Sequence, residues 1–111
     1  MKVGGTVNKL LAYLWKKAGE RMNELTQSKD GYIVFDESGT CALAYGAAEK
    51  WFKTYDEAIN YALEKVTKNC ELFKERIDFN SVIVYEGSEE FMRGTHTIPH
   101  EKIVFWWKNH K

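Results

Sequence analysis

His96 and His100 stand four residues apart in "THTIPHEK". On a helix that spacing puts two imidazoles on one side, as zinc-binding helices do. Pro99 lies between them and Thr, Gly and Ile flank them, so a helix is not expected. Two ligands do not close a zinc site; Glu101, His110 or a cysteine would have to join them. The plainer reading is a polar loop leading into a strand, and no metal is expected. Cys70 beside a histidine would make a nucleophile pair. Cys70 falls on the apolar stripe of a helix, however, where a thiol is inert packing. Cys41 opens a strand away from any nucleophile motif. Paired carboxylates occur at Asp36/Glu37, Asp56/Glu57 and Glu89/Glu90. A hydrolase needs two carboxylates converging in one cleft. The first pair reads as part of a turn and the second as a helix cap. Neither the dinucleotide glycine motif nor the phosphate-loop motif is present. The expectation is a non-enzymatic chain without a cofactor.

A second group carries recognition chemistry. Trp106 and Trp107 are adjacent in "KIVFWWKNHK", bracketed by Lys102 and Lys108, with Arg93, His100, His110 and Lys111 near by. Aromatic rings interleaved with cations form stacking platforms for single-stranded nucleic acid. Tryptophan and tyrosine also dominate protein-binding hot spots, which nominates Trp106, Trp107, Trp51 and Tyr45 as anchors. The plainer reading is an edge strand guarded by lysines against aggregation. A second basic group, Lys16, Lys17 and Arg21, lies along the first helix. The loop "EGSEE" places Glu86, Glu89 and Glu90 together. If it lies beside the last strand, it would repel phosphate and steer a basic protein partner.

Charge decides between these partners. Sixteen Lys and Arg balance sixteen Asp and Glu, for a formal net charge of zero. Nucleic-acid binders usually carry a basic excess, because phosphate neutralisation supplies most of their affinity. Nucleic acid is therefore the less favoured partner and another protein the more favoured. No run approaches the roughly 20 apolar residues of a membrane-spanning helix. Asn8 and Lys9 interrupt the N-terminal apolar patch, and no small-residue cleavage site follows it, so a signal peptide is not expected. A cytoplasmic location follows by default, with both cysteines reduced. At 111 residues, 44% of them apolar and one of them proline, the chain reads as one globular domain, 1–111.

The elements that must position these residues follow from periodicity. Val7, Leu11, Leu14, Ala18, Met22 and Leu25 recur at helical steps, predicting a helix over 7–27. Leu10 and Trp15 widen its apolar face, Thr6 caps it and Gly4–Gly5 precede it. Gly19 inside the pattern suggests a close crossing or a bend. Gly31 is the expected terminator. "YIVFD" (32–36) reads as a strand, "ESGT" (37–40) as a hairpin turn, and "CALAY" (41–45) as the return strand. "GAAE" is ambiguous, and "KWFK" (50–53) is a candidate third strand. Thr54 with Glu57 makes a capping box for a helix over 55–75. "SVIVYE" (81–86) and "KIVFWW" (102–107) are strands joined by the long connection 87–99. The order α-β-β-(β)-α-β-β predicts an α+β fold, a mostly antiparallel sheet of four to five strands with two amphipathic helices. Several strands are apolar on both faces. The second face then needs a cover: one of the helices, a long loop, a second copy in a homodimer, or a partner.

The stretch from Tyr32 to Ala58 resembles small modules of a three-stranded sheet and a helix, some of which bind DNA. The neutral charge and the aromatic content point instead to a small protein-binding regulator or inhibitor. Stand-alone phage-type antagonists of host defence share that size and composition. The alternative is a single-stranded nucleic-acid binder using the C-terminal strand.

Overall fold

Helix α2 (Tyr55–Glu75) is the element whose local signals are most complete. The Glu57 amide donates to Thr54 Oγ1 at 3.3 Å, and the Thr54 hydroxyl donates to Glu57 Oε1 at 3.0 Å. Asp56 and Glu57 in the first turn and Lys74 in the last both suit the helix dipole. Ala58, Ile59, Ala62, Leu63, Val66 and Cys70 are buried along one face, as the stripe predicts. The computed structural model describes residues 3–24, 30–40, 44–75, 77–93 and 98–110.

Helix α1 spans Val3–Glu24 and so runs through Gly4 and Gly5, which were expected to precede it. Each interior glycine costs about 1 kcal/mol against alanine, a penalty and not a block. No proline is present there to remove a hydrogen-bond donor. Leu14 and Ala18 are buried, and Leu10 and Leu11 pack beside them. Trp15, expected on that face, is 44% exposed. It lies about 100° round the helix from Leu14, off the inward stripe. Gly19 has open space where a side chain would be, so no described element crosses closely there.

Among the described residues the sheet has four strands in the order β2-β1-β3-β4, antiparallel throughout. β1 is Tyr32–Gly39, β2 is Ala44–Phe52, β3 is Phe79–Glu86 and β4 is Ile103–His110. The two segments expected separately at 41–45 and 50–53 are thus one strand, β2, within the described residues. Glu37, Ser38 and Gly39 were expected in the hairpin turn. They are strand residues opposite Ala47, Gly46 and Ala44. Hydrogen bonding across the sheet outweighs the weak turn preference of "ESG". Asp36 also accepts a 2.7 Å hydrogen bond from the Asn69 carboxamide on α2.

Both helices pack on one face of the sheet. Leu14, Ala18 and the α2 stripe meet Tyr32, Val34, Val82, Val84, Phe105 and Trp107 in one cluster. The Tyr32 and Tyr55 rings meet edge to face at 5.5 Å, and the Tyr55 hydroxyl reaches the Ala18 carbonyl at 3.4 Å. On the other face Ile33, Ile83 and Tyr85 are buried, with Phe91, Met92 and Ile98 from the β3–β4 connection packed against them. Of the covers that a doubly apolar sheet could recruit, the long loop serves here. It covers the Tyr85 end and leaves the Ser81–Lys108 end more open.

Candidate functional site

β4 is an edge strand: β3 pairs with one side of it, and no described strand pairs with the other. Its register with β3 shifts once. Val84 opposes Phe105 and Tyr85 opposes Ile103, which leaves Val104 as an extra bulged residue. Such a bulge bends the strand and interrupts pairing. From Phe105 to His110 the register is regular.

Alternation then separates the two tryptophans. Trp107 opposes Val82 on the helix face, is 9% exposed and belongs to the main core. It is not available as a binding anchor, which corrects its nomination from sequence. Trp106 opposes Ile83 on the other face and is 47% exposed. Lys108 Nζ lies 5.2 Å from the Trp106 ring, a cation–π contact, and the His100 ring lies at 6.0 Å. Lys102 is exposed in the short 3₁₀ turn His100–Lys102 before the strand.

Two grooves meet at Trp106. One, of about 380 Å³, runs between α1 and β4 and is lined by Tyr13, Lys17, Glu20, Phe105 and Trp106 among others. Tyr13 is 56% exposed there, with Lys17 Nζ 5.8 Å from its ring. The other groove, of about 440 Å³, opens where the small Ser81 side chain leaves space among Phe79, Trp106, Lys108 and His110. Sequence reasoning missed Tyr13 and Phe79, and it set Lys17 in a separate basic group on the first helix. The exposure of Tyr13 and Lys17 follows from their place on α1, but their approach to β4 is a tertiary fact.

The remaining nominated residues lie elsewhere. Trp51 is half-buried, and its indole N–H donates to the carbonyls of Asp30 (2.9 Å) and Gly87 (3.1 Å). It acts as an internal clamp joining the start of β1 to the end of β3, and its one polar donor is committed. Tyr45 has its backbone in β2, and its side chain lies outside the described residues. Glu86 opposes Tyr32, and Glu89 and Glu90 are exposed in the 3₁₀ turn Glu89–Arg93. Lys108 opposes Ser81, five residues before Glu86 on β3, about 16 Å away at 3.3 Å per residue. The acidic loop therefore does not flank the Trp106–Lys108 end of β4, contrary to expectation.

His96 and Cys41 lie outside the described residues. Among the described residues no three His, Cys, Asp or Glu side chains converge. Cys70 is buried, and burial pushes its thiol above the usual value, with the Lys74 charge opposing and the Glu71 charge adding. Tyr85 donates to Glu49 Oε2 at 2.9 Å. Burial, then that hydrogen bond and the Glu49 charge, push its phenol well above the ordinary 10.0. In both groups the folded state holds its proton after the unfolded chain has lost it. Their stabilisation is complete below the unfolded pKa and is lost as pH rises toward the folded value. Stability should decline from about pH 9, the ordinary thiol value being 9.0. Tyr85→Phe should flatten the part of that decline above pH 10; urea unfolding across pH 8–11 measures both. An unchanged slope in the variant would refute the Tyr85 assignment.

No helix among the described residues is long and apolar enough to cross a membrane. Comparison with protein-family models, with curated proteins and with solved structures returned no match.

Proposed function

We propose that this chain is a non-enzymatic protein-binding module, a regulator or inhibitor that docks on a partner protein through β4 with Trp106 as its anchor. The observation that carries this reading is Trp106 itself. A tryptophan 47% exposed on a sheet edge, with a groove on either side, is costly to leave in water and well placed to bury. Hot-spot residues of this kind often supply 2 kcal/mol or more each, roughly thirty-fold in affinity. Trp106→Ala should therefore cost a stoichiometric partner most of its binding while the thermal unfolding midpoint stays put. The check is a nuclease-treated pull-down from native-host lysate, wild type against variant. A partner retained in full by the variant would remove β4 from the interface.

A second reading has its own observation. Lys108 over the Trp106 ring pairs a cation with a stacking surface, as single-strand binders do. Affinity for a single-stranded oligonucleotide should then fall steeply from low to moderate salt. Undetectable binding at low salt would end that reading. A homodimer through the same edge is the remaining alternative, and sedimentation at increasing concentration distinguishes it.

A further inference from the structure

Resting on the docking reading above, we infer that the occupant of the β4 edge is an acidic, extended peptide segment that adds to the sheet as a fifth strand along 105–110. The backbone favours this mode first. Over Phe105–His110 the register with β3 is regular, so the outward N–H and C=O groups form a row suited to another strand; at its end the His110 amide donates to Asn109 Oδ1 at 3.1 Å, a local bond in competition with the added strand. The Val104 bulge ends that row at one side.

The side chains favour it second. An added strand places alternate residues on opposite faces. The two grooves also lie on opposite faces of β4 and share Trp106 as a wall. Successive residues of the segment would drop in turn beside Tyr13 and Lys17, then beside Ser81, Phe79 and His110.

Charge identifies the occupant. β4 carries no acidic residue from Ile103 to His110. Lys108 and Lys17 each lie over an exposed aromatic ring, with no ion pair to a described acid. Lys102 is exposed just before the strand. Glu20 is the acid lining the α1 groove. A segment with Asp or Glu at alternate positions puts its carboxylates on one face, over Lys108, and its intervening side chains in the α1 groove beside Tyr13. A second copy of β4 itself brings no carboxylate to meet Lys108. A nucleic acid has no peptide backbone to complete the sheet.

The test displays a library of short random linear peptides, selects on the full chain, and counter-selects on Trp106→Ala. Selected peptides should be rich in Asp and Glu, poor in proline, and alternating. A synthetic representative should lose about ten-fold or more in affinity against Lys108→Glu. It should lose as much when alternate backbone amides are N-methylated, since each removes a strand hydrogen bond. Peptides that depend on Trp106 but are basic, helix-forming or indifferent to N-methylation would overturn the strand inference and leave the docking reading standing. Recovery of no Trp106-dependent peptide would overturn the inference. The pull-down then decides the docking reading separately. Concentration-dependent self-association or oligonucleotide binding that competes with the peptides through Trp106 would overturn the inference in favour of those occupants.

Discussion

Trp107→Ala should destabilise the fold by about 3–5 kcal/mol, the range for truncating a buried tryptophan, whereas Trp106→Ala should change stability by about 0.5 kcal/mol or less. The two residues are neighbours of identical chemistry, so the contrast isolates position. Trp107 sits opposite Val82 in the cluster that both helices cover. Its removal leaves a void that Val82 and Phe105 cannot fill without moving the strand. Trp106 is half in water before any mutation, so truncation exposes little that was hidden. A domain of this size has a total stability of about 5–15 kcal/mol. The Trp107 variant should therefore show a large fall in urea midpoint, or be unfolded outright. Urea unfolding followed by far-ultraviolet circular dichroism reads both variants. Equal losses would mean that Trp106 is also core, and the docking surface would then have no anchor.

Gly31→Ala should cost about 2–4 kcal/mol, from strained backbone and lost hydrogen bonds together. Gly31 has φ +93°, a conformation that L side chains avoid. A Cβ there would lie 2.5 Å from Trp51 Nε1 and 2.6 Å from the Phe52 carbonyl oxygen. The indole would have to leave, releasing the carbonyls of Asp30 and Gly87. Gly31 O also accepts from the Gly87 amide at 3.1 Å, so the same move loosens the junction of β1 with the end of β3. Trp51→Phe keeps most of the ring and removes the donor, at an expected cost of about 1–2 kcal/mol. In the double variant the two costs should sum to less than their separate values, because both act on one clamp. Additive costs would show that the indole does not mediate the glycine effect.

These clamps bear on the docking surface. Trp51, Phe91 and Ile98 hold the loop end of the second sheet face closed. The other end, around Ser81, Trp106 and Lys108, keeps its groove. The division explains why aromatic content alone misjudges the surface. Of the tryptophans, Trp51 is a clamp, Trp107 is core, and Trp15 and Trp106 reach solvent.

What the sequence determined by itself is the set of elements with local causes. The Thr54–Glu57 cap and the stripe from Ala58 to Cys70 specify α2 because capping and helical periodicity act within a few residues. Runs of β-branched and aromatic residues in "YIVFD", "SVIVYE" and "KIVFWW" located three strands for the same reason, and the α+β arrangement followed from their order. Alternation also shows that Trp106 and Trp107 point apart. It does not show which one points to the core. That depends on the pairing of Val82 with Trp107 and on the bulge at Val104, both set by contacts between distant segments. The merging of residues 44–52 into one strand and the extension of β1 through Gly39 depend on the pairing of β2 with β1. The approach of Tyr13 and Lys17 to β4 depends on packing of a helix against a strand some ninety residues later. Register, face and groove belong to the tertiary structure because long-range pairing chooses among alternatives that local physics leaves equal.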